Sequence, residues 1–149
     1  MRIIRHTELL TTTPENEHGT YVLILQAKKS VSLQIGKLGL MTVQPGNYVY
    51  IGSAFGPGGV RGRLNHHLTG GTKPHWHIDY LRQAADVIQV WYVYCSTRYE
   101  HKWAEIFGSY PGASVPMPGF GSSDCKCSTH LFFFEQIPDY VRLHKLTGL

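Results

Sequence analysis

Arg63 and His67 stand four positions apart in VRGRLNHHL, a spacing that places them one turn apart on a helix. At about 100° per residue, Val60, Leu64 and Leu68 form an apolar face, and Arg63 and His67 lie on its flank. His66 is then directed toward water and Arg61 to the opposite flank. An arginine at the rim of a buried face can grip phosphate oxygens in a bidentate fork. A histidine one turn on can donate to the same group or move a proton. The preceding GSAFGPGG lacks the Gly-Lys-Ser/Thr of a Walker loop and the spacing of a dinucleotide fingerprint, so its glycines read as a turn. A second cluster, Cys125, Cys127 and His130, with His75 and His77 flanking Trp76, has the residue types of a tetrahedral zinc site. Cys-x-Cys is tighter than the usual zinc spacing and only one half-site is present. A structural turn with Asp124 bonded to backbone is the favoured reading over zinc.

These side chains need a framework. GTYVLILQ, SVSLQIGK, GNYVYIGSA, DVIQVWYVYC and HLFFFEQ read as strands. VRGRLNHHL, HWHIDYLRQAA, RYEHKWAEIFGS and PDYVRLHKL read as helices, with a Gly/Pro/Ser loop over 109–123. The order lacks regular β-α alternation. It predicts an α/β (α+β) domain with a small, mixed, largely antiparallel sheet flanked by helices. Residues 1–18, polar around Pro14, read as a loosely attached arm, and 19–149 as one domain. On its wheel, RYEHKWAEIFGS buries Tyr99, Trp103, Ile106 and Phe107, with Glu100 on the inward flank and Glu105 on the polar side.

Composition sets outer limits. A chain of 149 residues with 42% hydrophobic content suits a globular domain that buries a core without staples. The apolar runs are too short to span a bilayer, and the N-terminus lacks a signal-peptide pattern. With three cysteines, the expectation is a reducing, cytoplasmic location. A net charge of +4 permits a polyanionic partner without demanding one.

GTY at 19–21 and YIG at 50–52, followed by Val60, Arg63 and His67 in order, resemble the GIY-YIG nuclease superfamily. GTYVL, GNYVYIGSAFG, RLNHHL, HWHIDYL and FGSSDCKCSTHLF are similar to its small stand-alone Uri-type branch, over about residues 19–135. The gap between GTY and YIG is longer than the superfamily norm, as in that branch. Where the branch usually reads Glu-Cys-x-x-Ala this chain has EHKWA, with His101 in place of the cysteine.

The resemblance implies an endonuclease that hydrolyses phosphodiester bonds in DNA with one Mg²⁺ or Mn²⁺. Tyr21 would orient or deprotonate the attacking water, with Tyr50 assisting. Arg63 would stabilise the anionic transition state and His67 would take or relay a proton. Glu100 would carry the metal near the leaving oxygen. Gly52, Ser53, Arg61 and His77 are candidate nucleic-acid contacts, with Asp79 beside His77 at the groove. A tyrosine or histidine losing its proton would make activity rise from neutral toward alkaline pH. The alternative is a non-catalytic nucleic-acid-binding module of the same fold. An enzyme acting on other substrates would not need this tyrosine pair beside an arginine and a histidine.

Overall fold

The computed structural model describes residues 2–5, 13–69, 73–122 and 125–148. Strand β2 (Gly19–Ala27) has eight of its nine residues buried because it is the middle strand of five, covered on both faces. It pairs antiparallel with β5 (Gly46–Ala54) on one side and β6 (Asp86–Tyr94) on the other. Strand β1 (Arg2–Arg5) closes the edge on β6, and β7 (Leu131–Phe134) the edge on β5, again antiparallel. The order is β1-β6-β2-β5-β7.

Period two then sorts the side chains onto two cores. Tyr21, Leu23, Leu25, Tyr48, Tyr50, Val90 and Tyr92 face one layer, and Val22, Ile24, Val49, Ile51 and Trp91 the other. Helices α1 (Gly59–Thr69) and α2 (His77–Leu81) cover the first face with Val60, Leu64, Ile78 and Leu81. Helices α3 (Glu100–Gly108) and α4 (Tyr140–Thr147) cover the second with Trp103, Ala104, Phe107 and Leu143. A wholly buried side chain such as Phe107 contributes roughly 1.5–3 kcal/mol. The architecture is the predicted α+β domain with an antiparallel central sheet and flanking helices. Among the described residues no helix is long and apolar enough to cross a membrane.

Three local readings change. The stretch after SVSLQIGK is itself a strand: β3 (Val31–Ile35) and β4 (Gly39–Val43) form a separate two-stranded hairpin around a 3-10 turn at Gly36–Leu38. It lays Ile35, Met41 and Val43 into the first core, which accommodates the long gap between GTY and YIG. Helix α2 is one short piece rather than the eleven-residue HWHIDYLRQAA. Its end tightens into bonds from Gln83 N–H to the Tyr80 carbonyl and from Ala84 N–H to the Leu81 carbonyl. The described parts of the 1–18 arm are docked, not loose. Ile3 packs on the second core, and the Glu17 and Glu15 carbonyls accept from Val60 N–H (2.8 Å) and Arg61 N–H (3.2 Å) at the start of α1. Those are main-chain bonds to otherwise orphaned helix donors, and composition does not reveal them. Asp124, assigned a turn role above, lies outside the described residues.

Candidate active site

The antiparallel register sets Tyr21 directly opposite Gly52. A Cβ at position 52 would run into the Tyr21 ring, so the glycine of YIG is the space the phenol occupies. Tyr50, two residues earlier on the same face, brings its ring to 6.5 Å from that of Tyr21. Beyond β5 the chain turns through Gly58 and Gly59 at φ +87° and +55°, a conformation that favours glycine. Helix α1 then runs back over the first face. It buries His67, and the Tyr21 hydroxyl and His67 Nε2 are 2.7 Å apart. One turn earlier the Arg63 guanidinium lies 4.3 Å from the centroid of Trp76, a cation–π shelf beneath it.

Glu100 arrives from the other layer as the first residue of α3. The start of that helix is tied to the central strand by a bond from Tyr99 N–H to Thr20 Oγ1 (3.3 Å). Tyr21, Tyr50, Arg63 and Glu100 thereby line one cleft of about 430 Å³, with Ser53, Trp76, Arg98, His101 and His130 among its other walls. His67 stands behind Tyr21 and reaches the cleft through the phenol. Arginines at two walls and one carboxylate make a pocket suited to a phosphate-like anion.

Burial sets the protonation states. It holds the His67 imidazole down at about 3, against a smaller opposing pull from Asp79, so the ring is neutral near pH 7. It raises Tyr21 well above an ordinary tyrosine, helped by Tyr50 and opposed by Arg63. Burial also raises Tyr50, again against Arg63. For Asp79 burial pushes upward, but donation from Trp76 N–H, His75 N–H and His66 outweighs it and holds the carboxyl below its ordinary range. Asp79 Oδ1 lies 3.9 Å from His67 Nδ1, and that nitrogen has no hydrogen-bond partner among the described residues. A carboxylate on this side favours the Nδ1–H tautomer, leaving Nε2 to accept the Tyr21 proton. Tyr21 itself lines the cleft, so the phenol joins the buried imidazole to the cleft wall. With Tyr21 raised and His67 lowered, neither titrates between neutral and mildly alkaline pH, which removes the expected cause of an alkaline rise in activity.

Glu100 is 12% exposed at its side chain, and burial raises its pKa against the pull of His101, Arg98 and Arg63. Its Oε1 is 3.6 Å from His101 Nε2, while Oε2 is buried without a hydrogen-bond partner among the described residues. Glu105 is exposed, as its place on the wheel requires.

The remaining candidates divide. Ser53 lines the cleft, its Oγ 3.5 Å from Arg98 Nη1. Gly52 contributes by lacking a side chain. Arg61 is exposed and lies outside the cleft lining. His77 also lies outside it: Nδ1 accepts from Gly121 N–H at 2.9 Å and the ring packs on Phe120, which anchors the 119–121 turn. His66 does not point to water. It bonds Asp79 Oδ1 at 3.0 Å and meets Trp76 edge-on, because α2 packs where the isolated wheel shows solvent. Cys125 and His130 reach the same cleft, and Cys127 sits beside them. Arg98, the Trp76 shelf and the anchoring role of Asp79 are absent from the sequence reading. A basic residue two positions before the helix-starting Glu100 was the available signal for Arg98.

A small antiparallel α+β domain whose central strands present paired phenols to an arginine, a buried histidine and a partly buried carboxylate is the class that fold and site define. The chain belongs to the family described as a domain of unknown function, DUF123, which matches residues 20–147. No curated protein and no solved structure matches it.

Proposed function

We propose that the protein is a GIY-YIG-type endonuclease that hydrolyses phosphodiester bonds in DNA with one divalent cation. The observation that carries this reading is the convergence of Tyr21, Tyr50, Arg63 and Glu100 on one cleft, with the Tyr21 hydroxyl 2.7 Å from His67 Nε2. In the reaction, water attached to the Tyr21 oxygen attacks phosphorus. Its proton passes to Tyr21 as the phenol proton moves to His67 Nε2, and the P–O3′ bond breaks. The leaving 3′ oxygen takes a proton from solvent. Transfer in one concerted movement avoids a free tyrosinate. The imidazolium it leaves at His67, which burial disfavours, is opposed by the Asp79 carboxylate 3.9 Å from Nδ1 until the proton returns through Tyr21 to solvent. Arg63, held on Trp76, meets the charge gathering on the non-bridging oxygens. Tyr50 contacts the same phosphate.

Glu100 fits a hard cation. Its Oε2 is a desolvated carboxylate oxygen without a donor among the described residues, and such a group is costly unless paired or bound to metal. Mg²⁺ or Mn²⁺ held there, on one carboxylate with waters and phosphate oxygens, would supply Lewis acidity at the leaving oxygen. Single-stranded, duplex and branched DNA, each with and without Mg²⁺, test the reading. Glu100→Gln should keep DNA binding and lose metal-dependent cleavage, whereas Glu105→Gln should behave as wild type. Binding without cleavage of any substrate by the unaltered chain would leave the non-catalytic module as the function.

A further inference from the structure

We propose that His101, Cys125, Cys127 and His130 form a tetrahedral Zn²⁺ site that joins the first turn of α3 to the loop before β7. The Cys-x-Cys spacing weighs against zinc only while the site is sought within one segment. The fold supplies the missing ligand from a helix 26 positions away in the chain: His101 Nδ1 is 3.0 Å from Cys127 Sγ. His130 Nε2 is 3.2 Å from Cys125 Sγ, and all four ligand atoms lie within 4.8 Å of one another. Zn–S and Zn–N bonds of about 2.3 and 2.0–2.1 Å give tetrahedral edges of roughly 3.3–3.8 Å, the scale already present.

The surroundings of each ligand point the same way. His130 Nδ1 is 3.2 Å from the Ile51 carbonyl; donation there leaves the Nε2 lone pair facing the sulfurs. His101 turns Nε2 toward Glu100 Oε1 and Nδ1 toward Cys127. A carbonyl behind one histidine and a carboxylate behind the other are the outer partners that orient metal-bound imidazoles. The Cys127 N–H donates to Cys125 Sγ at 3.4 Å, an amide-to-sulfur bond suited to a thiolate. Two thiolates and two imidazoles select zinc over the hard cations that suit a lone carboxylate. On binding, each thiol releases its proton to solvent, and the two thiolates neutralise the ion.

The site is distinct from the Glu100 ion and does not depend on the nuclease reading. It would nevertheless position catalytic groups, because His101 adjoins Glu100 and the Ile51 carbonyl lies between Tyr50 and Gly52 in β5.

Metal content and Co²⁺ spectroscopy of the full chain test the proposal without an activity assay. The chain purified in reducing buffer should carry one equivalent of zinc. Replacement by Co²⁺ should give the intense visible bands of a tetrahedral ion and a thiolate-to-metal charge-transfer band. Cys95→Ser, which alters the one cysteine outside the cluster, should leave both unchanged. Cys127→Ser should lose the charge-transfer intensity of one thiolate. Because that variant can lose its fold with its metal, His101→Cys provides the second arm: it should retain zinc and gain charge-transfer intensity. A folded chain that takes up no stoichiometric zinc overturns the site. So does a weak octahedral Co²⁺ spectrum, or a His101→Cys spectrum identical to wild type.

Discussion

Replacing Tyr21 by Phe removes one oxygen atom and almost no packing, yet with the proposed nuclease function it should have two separable effects. The Tyr21 hydroxyl is the 2.7 Å partner of His67 Nε2, and His67 is 1% exposed with Nδ1 already unpaired among the described residues. The variant therefore strands a second nitrogen on a buried ring, which costs about 1–3 kcal/mol. For a domain of this size that lowers the melting temperature by about 2–12 °C. Loss of the group that receives the water proton should slow cleavage by about a hundredfold or more, equivalent to about 2.7 kcal/mol. Thermal melts and single-turnover rates on one DNA substrate read the two effects separately. Tyr50→Phe leaves no buried nitrogen stranded and should show smaller changes in both. Tyr21→Phe combined with His67→Leu replaces both polar partners by apolar ones, so much of the lost stability should return while the rate stays low. A Tyr21→Phe protein that melts and cleaves as wild type would refute the hydrogen bond and the catalytic assignment together.

Arg63→Ala should abolish cleavage while losing only about 0.5–1 kcal/mol of stacking on Trp76; Arg61→Ala should retain the cleavage rate and weaken DNA binding at low salt. Near-normal turnover by Arg63→Ala would remove Arg63 from the site. Stability should fall as pH drops from 6.5 toward 3, since the unfolded chain protonates His67 through that window and the folded chain does not until about 3. The full difference is on the order of 5 kcal/mol, and urea melts across the range should show a shallower acid slope for His67→Leu; an equal slope would contradict a neutral buried ring. Asp79, whose folded pKa is depressed, adds loss of the same sign at the acid end. Gly52→Ala should displace the Tyr21 ring, destabilise by about 1–3 kcal/mol and reduce cleavage; a crystal structure with Tyr21 unmoved would count against the steric account.

The central framework was legible because β2, β5 and β6 have long apolar and aromatic runs, and the amphipathic spacing of α1 and α3 marked their inner faces. The wheel separated Glu100 from Glu105 correctly, since that distinction depends on one helix alone. It misplaced His66 because Asp79 and Trp76 arrive from around α2, a neighbour the wheel does not contain. Burial likewise depends on the whole fold: the depth of His67 moves its proton out of the neutral range although its spacing beside Arg63 was plain. His101 is not legible as a partner of the cysteines because it stands 26 positions from Cys127 and meets it only through the tertiary fold. Strand β4 was hidden by weak alternation and by pairing, among the described residues, with β3 alone.

The main-chain caps at the start of α1 bear on how this chain can vary through descent. Glu15 and Glu17 hold the helix through their carbonyls, while their side chains are exposed. Substitution there leaves the contacts unchanged, so the identities of these residues are free to drift. Their path is not, because shortening or rerouting the segment would release the end of the helix that carries Arg63 and His67. A profile of residue preferences would rank this stretch as dispensable, while a profile of tolerated deletions would mark it as part of the machinery.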